Sequence, residues 1–305
     1  MKITKSNNSI KSYFAILFLA FALVLSGCSS DSGAKESGIL GIGGGSSSTS
    51  SSGSGVSINF QDLSFKPQKD NEFSMVMELK NYQLHDVDVK VRPSGFDWNY
   101  LQSGLEREFV LSLSKGTTDA PNQNAHYIEG IKLSGFTGDY NWNPTFKYCY
   151  TAKSTFREQV CIPDKLNGCS ADIKSDKFEN GLLSTKVNSI YPISSDKIGV
   201  EFQVSNSGKG VVVNECFQDE NKNDFGNKIT DPVVKLGTTI GTCSATSTSN
   251  GFALNQNKLQ FKCEFQRSGD ASESYASQVT VDYEYLYSQS VKNQITIVDL
   301  ENRNR

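Results

Sequence analysis

The chain has 305 residues, with 30 Lys and Arg against 33 Asp and Glu and only two histidines, His85 and His126. Its 37% hydrophobic and 21% charged content can build a core and excludes a solvated, disordered polyelectrolyte. The formal charge of −3 argues against a dedicated nucleic-acid binder, which needs a basic excess, and two histidines leave little material for a His-rich metal centre.

The first element is a leader over residues 1–27. Lys2, Lys5 and Lys11 precede an unbroken apolar or aromatic run from Tyr13 to Leu25. That run is too short to span about 30 Å of hydrocarbon as a helix and fits a signal-peptide core. It ends in Leu25-Ser26-Gly27-Cys28, which resembles the lipobox of prokaryotic lipoproteins. The resemblance implies that Cys28 becomes the lipidated first residue, and two or three buried acyl chains anchor a protein stably. Cleavage there leaves 278 residues with a charge of −6, material for roughly two domains. Residues 28–55 then form a tether. Between Ser29 and Gly55 lie 11 Ser and 8 Gly, a flexible coil spanning roughly 30 Å with almost nothing to bury.

Beyond the tether the pattern is that of strands. Phe73, Met75, Met77 and Leu79 alternate with more polar residues, and a shift of 125 gives Ile198, Val200, Phe202 and Val204 in the same alternation. Each run closes on an asparagine, Asn81 or Asn206, and re-enters an apolar stretch at Val87 or Val211, as two strands around a polar turn would. A second repeat, at an offset of 135, lays Thr145–Asp164 over Thr280–Asp299 with Thr, two Tyr, Gln, Ile and Asp identical. The sequence is therefore an internal duplication, and each copy of this second segment is expected to be a hairpin. Turn clusters such as Pro93-Ser94-Gly95 and the lack of 3.6-residue periodicity after the leader predict an all-β chain. Two tandem immunoglobulin-like antiparallel β-sandwiches are expected, over 56–165 and 166–305.

The strand-turn Phe202-Gln203-Val204-Ser205-Asn206-Ser207-Gly208 resembles the apolar-x-apolar-x-Asn-x-Gly pattern of tandem immunoglobulin-like, CARDB-like modules of prokaryotic surface proteins. The first copy departs from it, with Gln83 where Gly208 stands. Tyr148-Cys149-Tyr150 and Ser94-Gly95-Phe96-Asp97 are also similar to two-domain, membrane-anchored archaeal proteins of no assigned activity. The resemblance covers roughly residues 56–300 and implies a fold and a cell-surface role far more than a chemistry.

Six cysteines remain after the lipid site: Cys149, Cys161, Cys169, Cys216, Cys243 and Cys263. An even set in an exported chain points to disulfides. The repeated hairpin puts Cys149 and Cys161 on opposite arms, so they are paired with each other. Cys243 and Cys263 flank a polar segment and are paired in turn, leaving Cys169 for Cys216. No Cys-x-x-Cys pair supports the rival zinc site.

Two further features are candidates for recognition or binding. Asp219, Asn221, Asn223, Asp224 and Asp231 place oxygen ligands much as a calcium loop does, although Asp224 stands where glycine should turn the chain and Thr230 at the bidentate acidic position. Calcium is thus a candidate cofactor, against a solvated loop. Phe96, Trp98 and Tyr100, with Tyr140 and Trp142, form aromatic clusters bordered by Gly, Asp and Asn. Such rings stack on sugars or anchor a protein partner, or else cap a sandwich core. No Gly-x-Ser-x-Gly, phosphate-binding glycine loop or His-Glu-x-x-His occurs, so no catalytic residue is assigned. The sequence points to a lipid-anchored, extracytoplasmic binding or adhesion module, non-catalytic, with a surface protein or glycan as partner and no nucleic acid. The alternatives are a structural envelope or surface-layer protein and, behind it, an enzyme built from distant carboxylates.

Overall fold

The structure, a computed structural model, describes residues 54–164, 169, 176–217, 227–246, 251–268 and 273–301. The leader, Cys28 and the tether through Gly53 lie outside the described residues. The first half contains β1 (Val56–Phe60), β2 (Glu72–Asn81), β3 (Val87–Ser94), β4 (Leu101–Ser103), β5 (Phe109–Leu113), β6 (Asn122–Leu133), β7 (Tyr140–Trp142) and β8 (Thr145–Ile162). The second contains β9 (Lys177–Asn180), β10 (Leu183–Pro192), β11 (Lys197–Asn206), β12 (Val211–Val213), β13 (Asn227–Lys228), β14 (Val233–Leu236), β15 (Thr239–Ile240), β16 (Thr242–Ala245), β17 (Ala253–Leu254), β18 (Lys258–Gln266), β19 (Tyr275–Lys292) and β20 (Ile295–Ile297). The chain is all-β, and every pairing between these strands is antiparallel. The one helical turn among the described residues is the 3₁₀ turn Trp98–Tyr100.

Three larger sheets organise the chain: β1-β2-β6-β4, β10-β11-β18-β16, and a shared eight-stranded sheet running β15-β14-β19-β8-β3-β5, with β9 and β12 paired at its sides. The alternations at Phe73–Leu79 and Ile198–Val204 bury one face of β2 and of β11, which is why each smaller sheet turns an apolar side to the shared one. Phe60 of β1 packs its ring 4.7 Å from Phe146 of β8, and His126 of β6 stacks on Phe109 of β5. On the other side, Thr185 of β10 shares a 2.8 Å hydrogen bond with the Tyr283 hydroxyl of β19. The two sandwiches are therefore joined edge to edge along β8 and β19, which pair over their full 18 residues.

The register of that joint carries the duplication. A shift of 135 takes Ile162 to Ile297 and Tyr140 to Tyr275. The pair Tyr275–Ile162 in the β8/β19 ladder thereby maps onto Ile297–Tyr140, which is itself a pair, in β20/β7. Thr151 and Leu286 map onto each other and are partners, so the ladder has a pseudo-twofold axis there. The asparagine turns are equivalent too. Asn81 Nδ2 donates to the His85 carbonyl and Asn81 Oδ1 accepts from the Gln83 N–H; Asn206 does the same with Gly210 and Gly208. A side chain that closes both ends of a four-residue turn explains why asparagine stands at each position.

The hairpin expected over Thr145–Asp164 is instead one continuous strand. Nothing from Thr151 to Glu158 is Gly, Pro, Asn or Asp, so the strongest turn formers are missing, and Ser154 spends its hydroxyl on Tyr285 instead. Only the second copy breaks, at Asn293, before β20. This corrects the cysteine pairing: Cys149 and Cys161 lie on one strand, twelve positions and about 40 Å apart at about 3.3 Å per residue. The disulfides are Cys149–Cys216, Cys161–Cys169 and Cys243–Cys263, with Cα separations of 5.6, 6.0 and 4.0 Å. Only the last is paired as expected, and its two residues are directly opposite on β16 and β18. Cys216 reaches Cys149 because β12 pairs with Leu286–Ser288, and Ser288 is the β19 partner of Cys149.

Candidate functional site

At one end of the first half, the 3₁₀ turn, the loop carrying Phe136 and strand β7 bring the aromatic residues together. Asp97 starts the turn by accepting the Asn99 N–H at 2.9 Å, which sets Trp98 and Tyr100 beside the rings of the other segment. Phe96 lies 4.7 Å from Trp98 and 5.5 Å from Trp142. Tyr100 meets Phe136 and Tyr140 at 5.8 and 5.4 Å. Four of the five expected recognition residues, Phe96, Trp98, Tyr100 and Tyr140, are half-buried.

Trp142 is a correction. It is fully buried and meets Phe73 and Phe96 edge-on, so it belongs to the core and touches no partner. Asn141 of β7 and Asn143 just after it are exposed on either side of it, the period-two pattern that sends the middle residue inward. Trp98 in turn carries Arg107 over its ring at 4.9 Å. A residue that sequence reasoning missed thus makes the outer layer of this end, an aromatic floor roofed by a guanidinium. Nothing in the spacing from Trp98 to Arg107 signals the contact, because a loop and β4 separate them.

The C-terminal segment closes the same end. β20 pairs with β7, and Val298 exchanges backbone hydrogen bonds with Pro67 and Lys69. Asp299 is buried, accepts from the Gly138 N–H at 3.0 Å, and lies 3.4 Å from the Lys69 ammonium. Burial works to raise its pKa, but the Gly138 N–H and Lys69 outweigh that and hold the carboxyl below the usual range. Lys69 also sits 5.7 Å from the Phe136 ring centre.

The shared sheet has one face on the core and one toward solvent. On the solvent face, Asn214–Cys216 forms a ridge clipped down by the Cys149–Cys216 bridge. A groove of about 490 Å³ on one flank is lined by Asp88, Lys90, Glu108, Thr151 and Glu215. A groove of about 540 Å³ on the other is lined by Lys228, Thr230, Glu284 and Leu286. Two surface ion pairs cross this face, Arg92–Glu108 at 2.8 Å and Lys153–Glu284 at 2.5 Å.

The most perturbed titrating groups are tyrosines of the core. Burial raises Tyr148, Tyr150 and Tyr283 well above the ordinary phenol value and lifts Tyr285 to about 12. Their hydroxyls are spent on structure. Tyr150 accepts the Val56 N–H and Tyr285 accepts the Leu182 N–H, and the two tyrosines are equivalent, since 150 and 285 are 135 apart. Burial lowers the pKa of both His85 and His126, and they lie in different elements. Of the expected calcium ligands, Asp219, Asn221, Asn223 and Asp224 lie outside the described residues, and Asp231 is exposed. Among the described residues no group of three or more His, Cys, Asp or Glu side chains could hold a metal ion. No protein-family model matches the chain, and no curated protein matches it either.

Proposed function

We propose that the protein is a lipid-anchored binding or adhesion module on the extracytoplasmic side of a membrane, without catalytic activity, of the CARDB-like kind. Three disulfides in the head support an oxidising compartment, in keeping with Leu25-Ser26-Gly27-Cys28 and the Ser/Gly tether. The commitment of the perturbed tyrosines to structural hydrogen bonds favours a scaffold over a reaction site. The observation that carries a recognition role is the half-buried cluster of Phe96, Trp98, Tyr100 and Tyr140 with Arg107 on Trp98. Flat rings beside a guanidinium suit a surface protein or glycan. The reading needs no cofactor.

The test compares Trp98→Ala with Trp142→Ala in attachment of the purified protein to cells. Trp98→Ala should weaken attachment while leaving the melting temperature nearly unchanged. Trp142→Ala should cost about 3 to 5 kcal/mol of stability. Unchanged attachment with Trp98→Ala would defeat the recognition role. For the anchor, Cys28→Ala should release the protein from the membrane fraction or trap the precursor; a variant that loses its leader and stays membrane-bound refutes lipidation.

A further inference from the structure

We propose that the Cys149–Cys216 bridge is a thiol–disulfide exchange site, opened by a dithiol, whose reduction releases the ridge over the shared sheet. β12 lies on the edge of β19 away from β8, so Asn214–Cys216 must cross the outer face of β19 to reach Cys149. Cys149 alternates with Lys147 and Thr151 on that outer face, yet it is fully buried, because the ridge lies on it. Cys216 itself is only half-buried. Leu286 lines the groove on either flank, so the ridge divides one trough in two. Asn214–Phe217 belongs to no strand; the bridge is the covalent clip on a segment that no ladder secures.

The backbone beside the bridge is strained. Phe217 has a left-handed φ of 61°, and the other described non-glycine residues of that kind are Asp70, Gln256 and Asn257. Asp and Asn enter that region readily, whereas a bulky aromatic does so only when its surroundings force it. Here the bridge holds the residue before it, and the Arg92 guanidinium sits 4.3 Å from its ring centre. Parting the sulfurs lets the turn relax, and the two thiols then separate. Cys243 and Cys263 differ, because they stay opposite each other in the β16/β18 ladder whether or not they are joined. A strained, half-exposed bridge is the labile kind. In the exchange, one thiolate of the dithiol attacks the accessible Cys216 sulfur, the S–S bond breaks, and Cys149 leaves as thiolate. Lys90, the register partner of Cys149, lines the same groove and places a cation across from that leaving group. Asp88, Glu108 and Glu215 line it as well, and Glu108 is already paired with Arg92. The second thiol of the dithiol then displaces Cys216. The dithiol ends as a disulfide, having given two electrons, and its two protons end on Cys149 and Cys216.

The experiment equilibrates the purified protein with dithiothreitol buffers of graded reduced-to-oxidised ratio, traps free thiols with iodoacetamide and assigns them by peptide mapping. Cys149 and Cys216 should be half reduced at a ratio roughly tenfold lower than Cys243 and Cys263 require. Reduction of both bridges at the same ratio overturns the proposal. So does reduction confined to Cys161–Cys169, whose Cys169 is exposed, since access alone would then decide which bridge opens. In protein reduced at Cys149–Cys216, hydrogen exchange of Val211–Val213 and of the ridge should rise roughly tenfold while β11 and β18 keep their protection. Unchanged exchange would mean that the ridge stays down without its bridge, and loss of protection throughout would mean that the bridge merely holds the fold; either result refutes the latch. None of these readouts depends on lipidation or on attachment to cells, so failure of the function proposed above is seen separately.

Discussion

Gly208 and Gln83 stand at the same step of the repeated asparagine turn, and the difference between them is compensated at a pair of strand positions, Tyr287 and Ala152, that are 135 apart. A Cβ on Gly208 would run into the Tyr287 hydroxyl, which itself accepts the Gly210 N–H at 2.8 Å. The position equivalent to Tyr287 in the first half is Ala152, and there the Gln83 side chain lies in the space, accepting the Lys153 N–H. One half pairs a small turn residue with a large strand residue and the other reverses them, as volume-conserving packing requires. Gly208→Ala should therefore cost about 1 to 3 kcal/mol in wild type and much less in a Tyr287→Ala background. Equal costs in a denaturant double-mutant cycle would show that the two sites are independent. Asp299 makes a second prediction. Its folded pKa lies below the unfolded value, so its contribution is present above ordinary carboxylate pH and is lost as pH falls through the folded pKa. Asp299→Asn, with Lys69, Asp139 and Glu301 intact, should flatten the loss of stability on acidification; an unchanged pH profile of the denaturation midpoint would mean that the Lys69 contact contributes nothing.

At the scale of elements, the alternations that mark β2, β11 and the apolar part of β19 were legible because one face of each strand is buried. The asparagine turns were legible because the same side chain makes the same two bonds in both copies. The unity of β8 was hidden by its own copy. Aligned sequences suggested aligned hairpins, yet only the second copy has a strong turn former in mid-segment, Asn293, where the first copy has Glu158. Trp142 was misplaced because an aromatic between polar residues looks the same whether a loop exposes it or a strand buries it. Arg107 and Lys69 were invisible because both contacts are made across loops. Peptide mapping under non-reducing conditions should recover Cys149 with Cys216 and Cys161 with Cys169; a Cys149–Cys161 peptide would restore the hairpin. Replacing both Cys149 and Cys216 by Ser should cost about 2 to 4 kcal/mol and free the ridge over the shared sheet, which exchange of the Asn214 and Glu215 amides would report.

For the whole molecule, the pseudo-twofold makes each half depend on the other. β20 completes the first half although it is encoded at the end of the second. Truncation after Asn293 should accordingly raise hydrogen exchange in β7 and around Trp142 while β11 and β18 stay protected. Loss confined to the second half would contradict the strand exchange.

The same exchange sets an order of events during synthesis. Domains commonly fold one after another as the chain emerges, N-terminal first. Here the edge of β8 waits until Tyr275–Lys292 has been made, and β7 waits for Ile295–Ile297. A chain still growing from its C-terminus has no finished first half, however long it pauses. Pairing between strands this far apart in sequence is slow, on the millisecond-to-second scale of high-contact-order proteins. The first half therefore stays unfinished at β7 until Ile295–Ile297 is free, and it closes after the second half rather than before it.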